Sequence, residues 1–349
     1  MTIRALKSPQ YNWVFDDSNG NFARWGKTEE ENPSYSPLGP ELLDIEVSTI
    51  CHNGCTFCYK SNTGKGHNMT LDEFKKIFHK IPQNLTQIAF GIGDIDGNPE
   101  LFDMFKYCRE NSYNLVIPNV TINGKNISKE HYDNLSKLCG AVAVSMYDKD
   151  NCYNSVFELT SRGLKQVNIH MLLSEETYDD CFQVINDKLT DKRLEKLNAI
   201  VFLMLKPKGD RNTYNSIKSI EKYSKLVNYA IEKNVQIGMD SCSGPSVLKS
   251  LNNIDTRSIE PCESGLFSLY INAFGEAFPC SFTEGTKGWK KGINILQIED
   301  FISDVWNSNK ILKWRKTLLG STKNCDCKFK NDCRSCPVYD ISLCKGKKQ

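Results

Sequence analysis

The sequence has no apolar run approaching the length of a membrane span, and its opening residues, MTIRALKSPQYNWVF, lack the continuous apolar core of a secretory signal. Both absences predict a cytoplasmic protein with no membrane partner. Net charge is small as well: 44 Lys and Arg against 42 Asp and Glu leave +2, which excludes a general nucleic-acid binder while leaving room for one specific acidic contact. There is no repeat of solenoid length. The glycine-rich stretch GIGDIDG (91–97) fails as a dinucleotide fingerprint. Its spacing is G-x-G-x-x-x-G, Asp96 holds the place of the third glycine, and two acids would face a pyrophosphate.

Cysteine, by contrast, is abundant, with fifteen in 349 residues. In a reducing compartment such a number points to metal or redox chemistry before disulfides. Cys51, Cys55 and Cys58 form one group, Cys262 and Cys280 another, and five more fall in the last 25 residues. Cys108, Cys139, Cys152 and Cys181 read as small buried hydrophobes. The length and the 40% apolar content support a full core, with one large domain and a smaller one.

Residues 1–40 are rich in Asn, Ser, Pro and Gly, with scattered aromatics, and read as an irregular arm packed on a domain. From 41 to 240 strands alternate with amphipathic helices. Strands are expected at 42–47, 87–90, 115–121, 141–146, 167–173, 199–205 and 235–239. Helices are expected at 70–80 (Thr70 and Glu73 as a capping box), 99–111, 128–138, 153–163, 176–190 and 212–233. This rhythm predicts an α/β fold built on a parallel sheet, either a partial (β/α)6 TIM-like barrel or an open doubly wound sheet. Ligands would bind at the carboxyl ends of the strands. Beyond 240 the chain is loop-rich with one helical segment around 302–319, which predicts a small metal-stapled unit over 241–349.

CHNGCTFCYK (51–60) spaces Cys51, Cys55 and Cys58 as C-x3-C-x2-C just after the first strand of the series. Zinc would need a fourth ligand, such as His52 or His67. In a four-iron cluster, three thiolates leave one iron open. The spacing, the aromatic Phe57 before the third cysteine, and the position after strand one resemble the radical S-adenosylmethionine (SAM) superfamily. That resemblance implies a [4Fe–4S] cluster on the three cysteines with SAM on the open iron. It also implies a 5′-deoxyadenosyl radical that abstracts hydrogen from a substrate. AFGIGDIDGNPEL (89–101) takes the place of the family's Gly-Gly-Glu-Pro loop, so Gly93 and Asp94 would hold the methionine amino group. Ile92 and Ile95 replace the first glycine and the proline. TING (121–124) resembles the Thr-Asn-Gly turn, which makes Asn123 a SAM contact, or else an ordinary Asn-Gly turn. Ser145 would contact the ribose, and Leu205 and Phe202 would line the adenine pocket or pack in the core.

After 260, C-x12-G-x4-C (Cys262, Gly275, Cys280) precedes C-x1-C-x5-C-x2-C-x7-C. The order resembles the SPASM extension of radical SAM enzymes, with two intervals one residue short; a zinc ribbon would leave odd cysteines over. The resemblance implies two auxiliary [4Fe–4S] clusters, one on Cys262, Cys280 and Cys336 and one on Cys325, Cys327, Cys333 and Cys344. Cys242 is the candidate fourth ligand of the first. Residues 264–282 fit a β-hairpin. By resemblance the function is oxidation or cross-linking of a peptide or protein, with electrons from a flavodoxin- or ferredoxin-type reductant. The arm is too short for a winged-helix leader-binding domain, and Ser281 stands where sulfatase-maturing relatives carry an aspartate base. A small-molecule or nucleotide-derived substrate is the alternative. A non-catalytic iron–sulfur carrier or metal-stabilised binding protein is the alternative of another class.

Overall fold

Leu43 and Ile45 are sealed from solvent, whereas Leu42 and Asp44, which alternate with them, are less buried. Alternation of this kind gives a strand two unlike faces, one under helices and one lining a concave space. The same pattern runs along neighbouring strands in a computed structural model that describes residues 3–28, 31–111, 115–251, 255–256 and 259–344. The strands after the first segment are β4 (Leu42–Glu46), β5 (Gln87–Gly91), β6 (Ile117–Ile122), β7 (Ala141–Ser145), β8 (Gln166–Leu173), β9 (Ala199–Met204) and β10 (Ile237–Met239). They pair in parallel in sequence order. Their register aligns Glu46, Gly91, Thr121 and Ala143 on the concave side, and Ser145 beside His170 one level higher. The connecting helices α1 (Leu71–Lys80), α2 (Leu101–Glu110), α3 (Lys129–Leu138), α4 (Lys149–Ser161), α5 (Tyr178–Thr190) and α6 (Ile220–Glu232) cover the other face. This is the expected α/β architecture with a large parallel sheet.

Local chemistry sets the helix ends. Thr70 and Glu73 form the expected capping box on α1, and Ser128 caps α3. Two boundaries differ from expectation. The α4 helix begins at Lys149 rather than 153 because the Asp148 carboxylate accepts the Asn151 amide as an N-cap. Residues 212–219 are not helical. Asn212 turns its side chain back onto the Tyr214 amide, the Ser216 hydroxyl bonds the Leu205 carbonyl, and α6 starts only where Ser219 caps it.

The amino-terminal arm is a three-stranded antiparallel sheet rather than irregular chain, made of β1 (Ile3–Leu6), β2 (Asn12–Asp16) and β3 (Phe22–Trp25). Tyr11, Trp13 and Phe15 alternate inward and pack with Ile117, Leu266 and Phe267. Arg4 donates to the Leu115 and Thr86 carbonyls, just before β6 and β5, and Trp13 donates to Asn84 at 2.7 Å. The small sheet therefore covers the amino ends of the strands, opposite the cysteine-bearing edge.

The carboxy-terminal region continues the large sheet. The expected hairpin is β11 (Ser268–Ile271) and β12 (Glu276–Phe278), turning at Gly275 with φ +74°, and β13 (Ile293–Asn294) follows. Strand β11 pairs in parallel with β4, Ser268 opposite Leu42 through Ile271 opposite Ile45. A short helix, α7 (Gly244–Ser250), follows β10 where only loop is expected; Pro245 in its first turn supplies a helix start. The segment near 302–319 divides into a π turn at Ile302–Trp306 and α8 (Asn309–Leu319), which Ser308 caps. No helix among the described residues is long and apolar enough to cross a membrane.

Candidate active site

The chain leaving β4 folds back on itself. Thr49 and Cys51 donate their amides to the His67 and Thr63 carbonyls, which fixes the loop that carries the three cysteines. The β5 loop lies directly against it: a Cβ on Gly93 would stand 2.4 Å from the Cys51 Cβ, so only glycine fits. Asp94, next along, turns its carboxylate to the same place. One oxygen accepts from the His52 amide and faces His52 Nδ1, both at 2.8 Å. The other accepts from Asn123 Nδ2 at 3.0 Å and lies 3.8 Å from Cys51 Sγ. Asn123 also donates to the Gly93 carbonyl at 3.0 Å, and its own oxygen accepts the Lys125 amide, while Gly124 takes φ +76°. Asn123 is thus both a turn residue and a partner of Asp94. Three strand ends, β4, β5 and β6, meet here.

The imidazoles of the zinc alternative are engaged elsewhere: His52 faces Asp94, and His67 stacks on Phe274 at 4.6 Å. Burial pushes the Cys51 thiol up, with the charges of Asp94 and Cys58 adding to it. Cys55 is likewise pushed up by burial and then by Cys58 and Cys51. Three neighbouring thiols, with the ionisation of Cys51 and Cys55 opposed by the others, form a donor set that fits a cationic group shared among them.

Phe57 sits 5.3 Å from the Tyr147 ring and 5.1 Å from the Tyr214 ring. Ser145 is buried at the end of β7, two residues before Tyr147, which is 45% exposed. Tyr147 and Tyr214 are not apparent from sequence; the only signal is that SMYD (145–148) follows a strand end. Phe202 lies on the helix-covered face of β9, so it belongs to the core. Leu205 is buried one residue beyond that strand, with its amide on the Leu173 carbonyl. The 206–215 loop clasps the cysteine loop. Gly209 has φ +105° and comes so close to the Cys58 carbonyl that a Cβ there would stand 2.2 Å away, and Thr213 donates to Thr56.

Inside the concave face, burial pushes Asp44 up to about 6 and His170 down to about 4. Tyr59, immediately after Cys58, stacks on Phe282 at 4.4 Å, two residues beyond Cys280. Burial would lower the pKa of the Lys206 amine, but Asp240, Cys242 and Cys280 together outweigh this and raise it.

Four of the remaining cysteines, from distant points in the chain, are linked pairwise by their charges. Burial raises Cys242, Cys262 and Cys280. In addition, Cys242 feels Cys262 and Cys280, Cys262 feels Cys336, and Cys280, pushed up to about 12, feels Cys262 and Cys336. Cys325, Cys327, Cys333 and Cys344 are half-buried in the turns that follow α8, where the Thr322 hydroxyl bonds the Lys330 and Cys333 carbonyls. A cavity of about 580 Å³ opens beside the first site, between the 59–65 loop, the 208–210 loop and the hairpin tip at Phe274, with Glu46, Glu284 and Tyr339 in its wall.

Residues 45–147 match the family model of the Radical SAM superfamily. This chain carries a radical SAM domain. Such a domain implies a [4Fe–4S] cluster and SAM. Among solved structures, the chain is similar to SuiB from Streptococcus suis bound to precursor peptide SuiA, with 13% identity and a TM-score of 0.73 over 98% of this chain and 100% of that one. It is also similar to SuiB bound to S-adenosylmethionine (15% identity, TM-score 0.68, 86% and 73% covered). A third similar structure is anSMEcpe with bound AdoMet and Cp18Cys peptide (15% identity, TM-score 0.62, 87% and 94% covered). At these identities the likeness is one of fold. No curated protein matches the sequence.

Proposed function

We propose that the protein is a radical SAM oxidoreductase that modifies a peptide or protein at an unactivated carbon, working in the cytoplasm with a flavodoxin- or ferredoxin-type reductant. The observation that carries this reading is the meeting of Cys51, Asp94 and Asn123 at the carboxyl ends of three adjacent parallel strands. When bound, the cluster and SAM supply a 5′-deoxyadenosyl radical, which takes a hydrogen atom from the substrate. Cys51, Cys55 and Cys58 would hold the cluster. The Asp94 carboxylate suits an ammonium group, and Asn123 and the His52 amide keep it oriented. Gly93 leaves room for a backbone approach, Ser145 offers a hydroxyl, Leu205 an apolar surface, and Phe57 with Tyr147 and Tyr214 an aromatic wall.

The carboxy-terminal region is read as a SPASM-like unit over 241–349 beside a barrel over 41–240. Cys242, Cys262, Cys280 and Cys336 would hold one auxiliary [4Fe–4S] cluster, and Cys325, Cys327, Cys333 and Cys344 the other. Support for the first set is that Cys242 feels Cys262 and Cys280, and that these two feel Cys336. Support for a peptide substrate is the fold shared with SuiB and anSMEcpe, both solved with peptides, and the open cavity beside the cysteine loop. Incubating the anaerobically reconstituted protein with SAM, a reductant and peptides encoded by neighbouring short reading frames tests this reading. A mass change in one peptide is expected; SAM cleavage with every peptide unaltered would reject the substrate class.

A further inference from the structure

Lys206 stands just beyond β9, with its side chain only 5% exposed, and pairs with Asp240 just beyond β10. The Ser243 hydroxyl holds the other carboxylate oxygen, and the Lys206 ammonium lies 4.9 Å over the ring of Phe282. Lys208 extends the same contact by donating to the Ser281 carbonyl at 2.9 Å. A fixed cation and a fixed anion therefore link two segments that carry cysteines, Asp240 lying two residues from Cys242 and Phe282 two residues from Cys280. Burying an ion pair costs several kcal/mol of desolvation per ion and seldom stabilises a fold.

We infer that the Lys206–Asp240 pair sets the reduction potential of the auxiliary cluster on Cys242, Cys262, Cys280 and Cys336. The ammonium favours the reduced cluster, and the carboxylate moderates that effect. The inference rests on the ligand reading above. An iron–sulfur cluster gains one negative charge on reduction, and a charge in a poorly screened interior acts on it far more strongly than one in water. Both residues are positioning groups, tuning the cluster through space as groups just outside the ligands do.

The test uses the full chain carrying C51A/C55A/C58A, reconstituted anaerobically so that only auxiliary clusters remain, and titrated potentiometrically by electron paramagnetic resonance. Lys206→Met should shift one of the two couples to a more negative potential and leave the other in place. Asp240→Asn should shift the same couple in the positive direction, and Lys206→Arg should hold it at the parent value. Both couples unmoved in Lys206→Met and Asp240→Asn would overturn the inference, and so would shifts of the same sign in these two variants, which mark packing damage rather than charge. Cys242→Ala separates the two levels. If the spectrum and potential of the Lys206-sensitive couple change, the ligand reading stands; if they do not, that reading fails in its own right.

Discussion

Asp94 gathers the Cys51 thiol, the His52 amide and the Asn123 side chain around one carboxylate at the open end of the sheet. A hydrogen bond to a charged group contributes about 1.5–3 kcal/mol, and tenfold in affinity is about 1.4 kcal/mol. Asp94→Ala should therefore weaken SAM binding by about tenfold or more in anaerobic calorimetry while the iron content stays at the parent level; equal affinity would remove Asp94 from the site. Asp44 makes a separate prediction. Burial raises its pKa to about 6, so the folded chain holds a proton that the unfolded chain has released. The stability tied to that proton is present in acid and is lost as pH rises through 6. Asp44→Asn should then be more stable than the parent at pH 8, by on the order of 1–3 kcal/mol in urea denaturation, and equal to it near pH 4. An equal difference at both values would contradict the assignment. At this scale the cysteine trio and Asp94 are legible in sequence because their spacing is local. Tyr147 and Tyr214 are not, since chain folding alone brings them to Phe57.

The strands of the parallel series are readable from their apolar runs, and most helices from their caps. Where expectation and structure part, a short polar side chain or a weak alternation decides. Asp148 starts α4 four residues early by accepting the Asn151 amide, and Asp148→Ala should cost about 1 kcal/mol in denaturant unfolding. The small amino-terminal sheet hides in sequence because NWVFD and FARW are short and flanked by turn formers, so their two-residue period is easily missed. Its core lies at the opposite end of the strands from Cys51. Trp13→Ala should thus cost about 3–5 kcal/mol of stability yet leave SAM affinity in the reconstituted protein unchanged. A matching loss of affinity would show that the two ends of the barrel are coupled.

Pairing of β11 with β4 joins the carboxy-terminal hairpin to the same sheet as the barrel strands, and Cys242, just beyond β10, feels the charges of Cys262 and Cys280. The order of the tail cysteines is legible in sequence. Spacing alone does not say which of them share a site, because Cys242 and Cys336 lie far apart in the chain, and their grouping with Cys262 and Cys280 is read from the resemblance. The most direct measurement at this scale is anaerobic reconstitution of the full chain, with iron and sulfide counted, followed by incubation with SAM and a strong reductant and quantification of 5′-deoxyadenosine. About twelve irons per chain are expected, with release of 5′-deoxyadenosine that is abolished by Cys51→Ala, Cys55→Ala or Cys58→Ala and spared by Cys327→Ala. A chain that binds only zinc, or that fills its clusters and leaves SAM intact, would contradict a radical SAM activity.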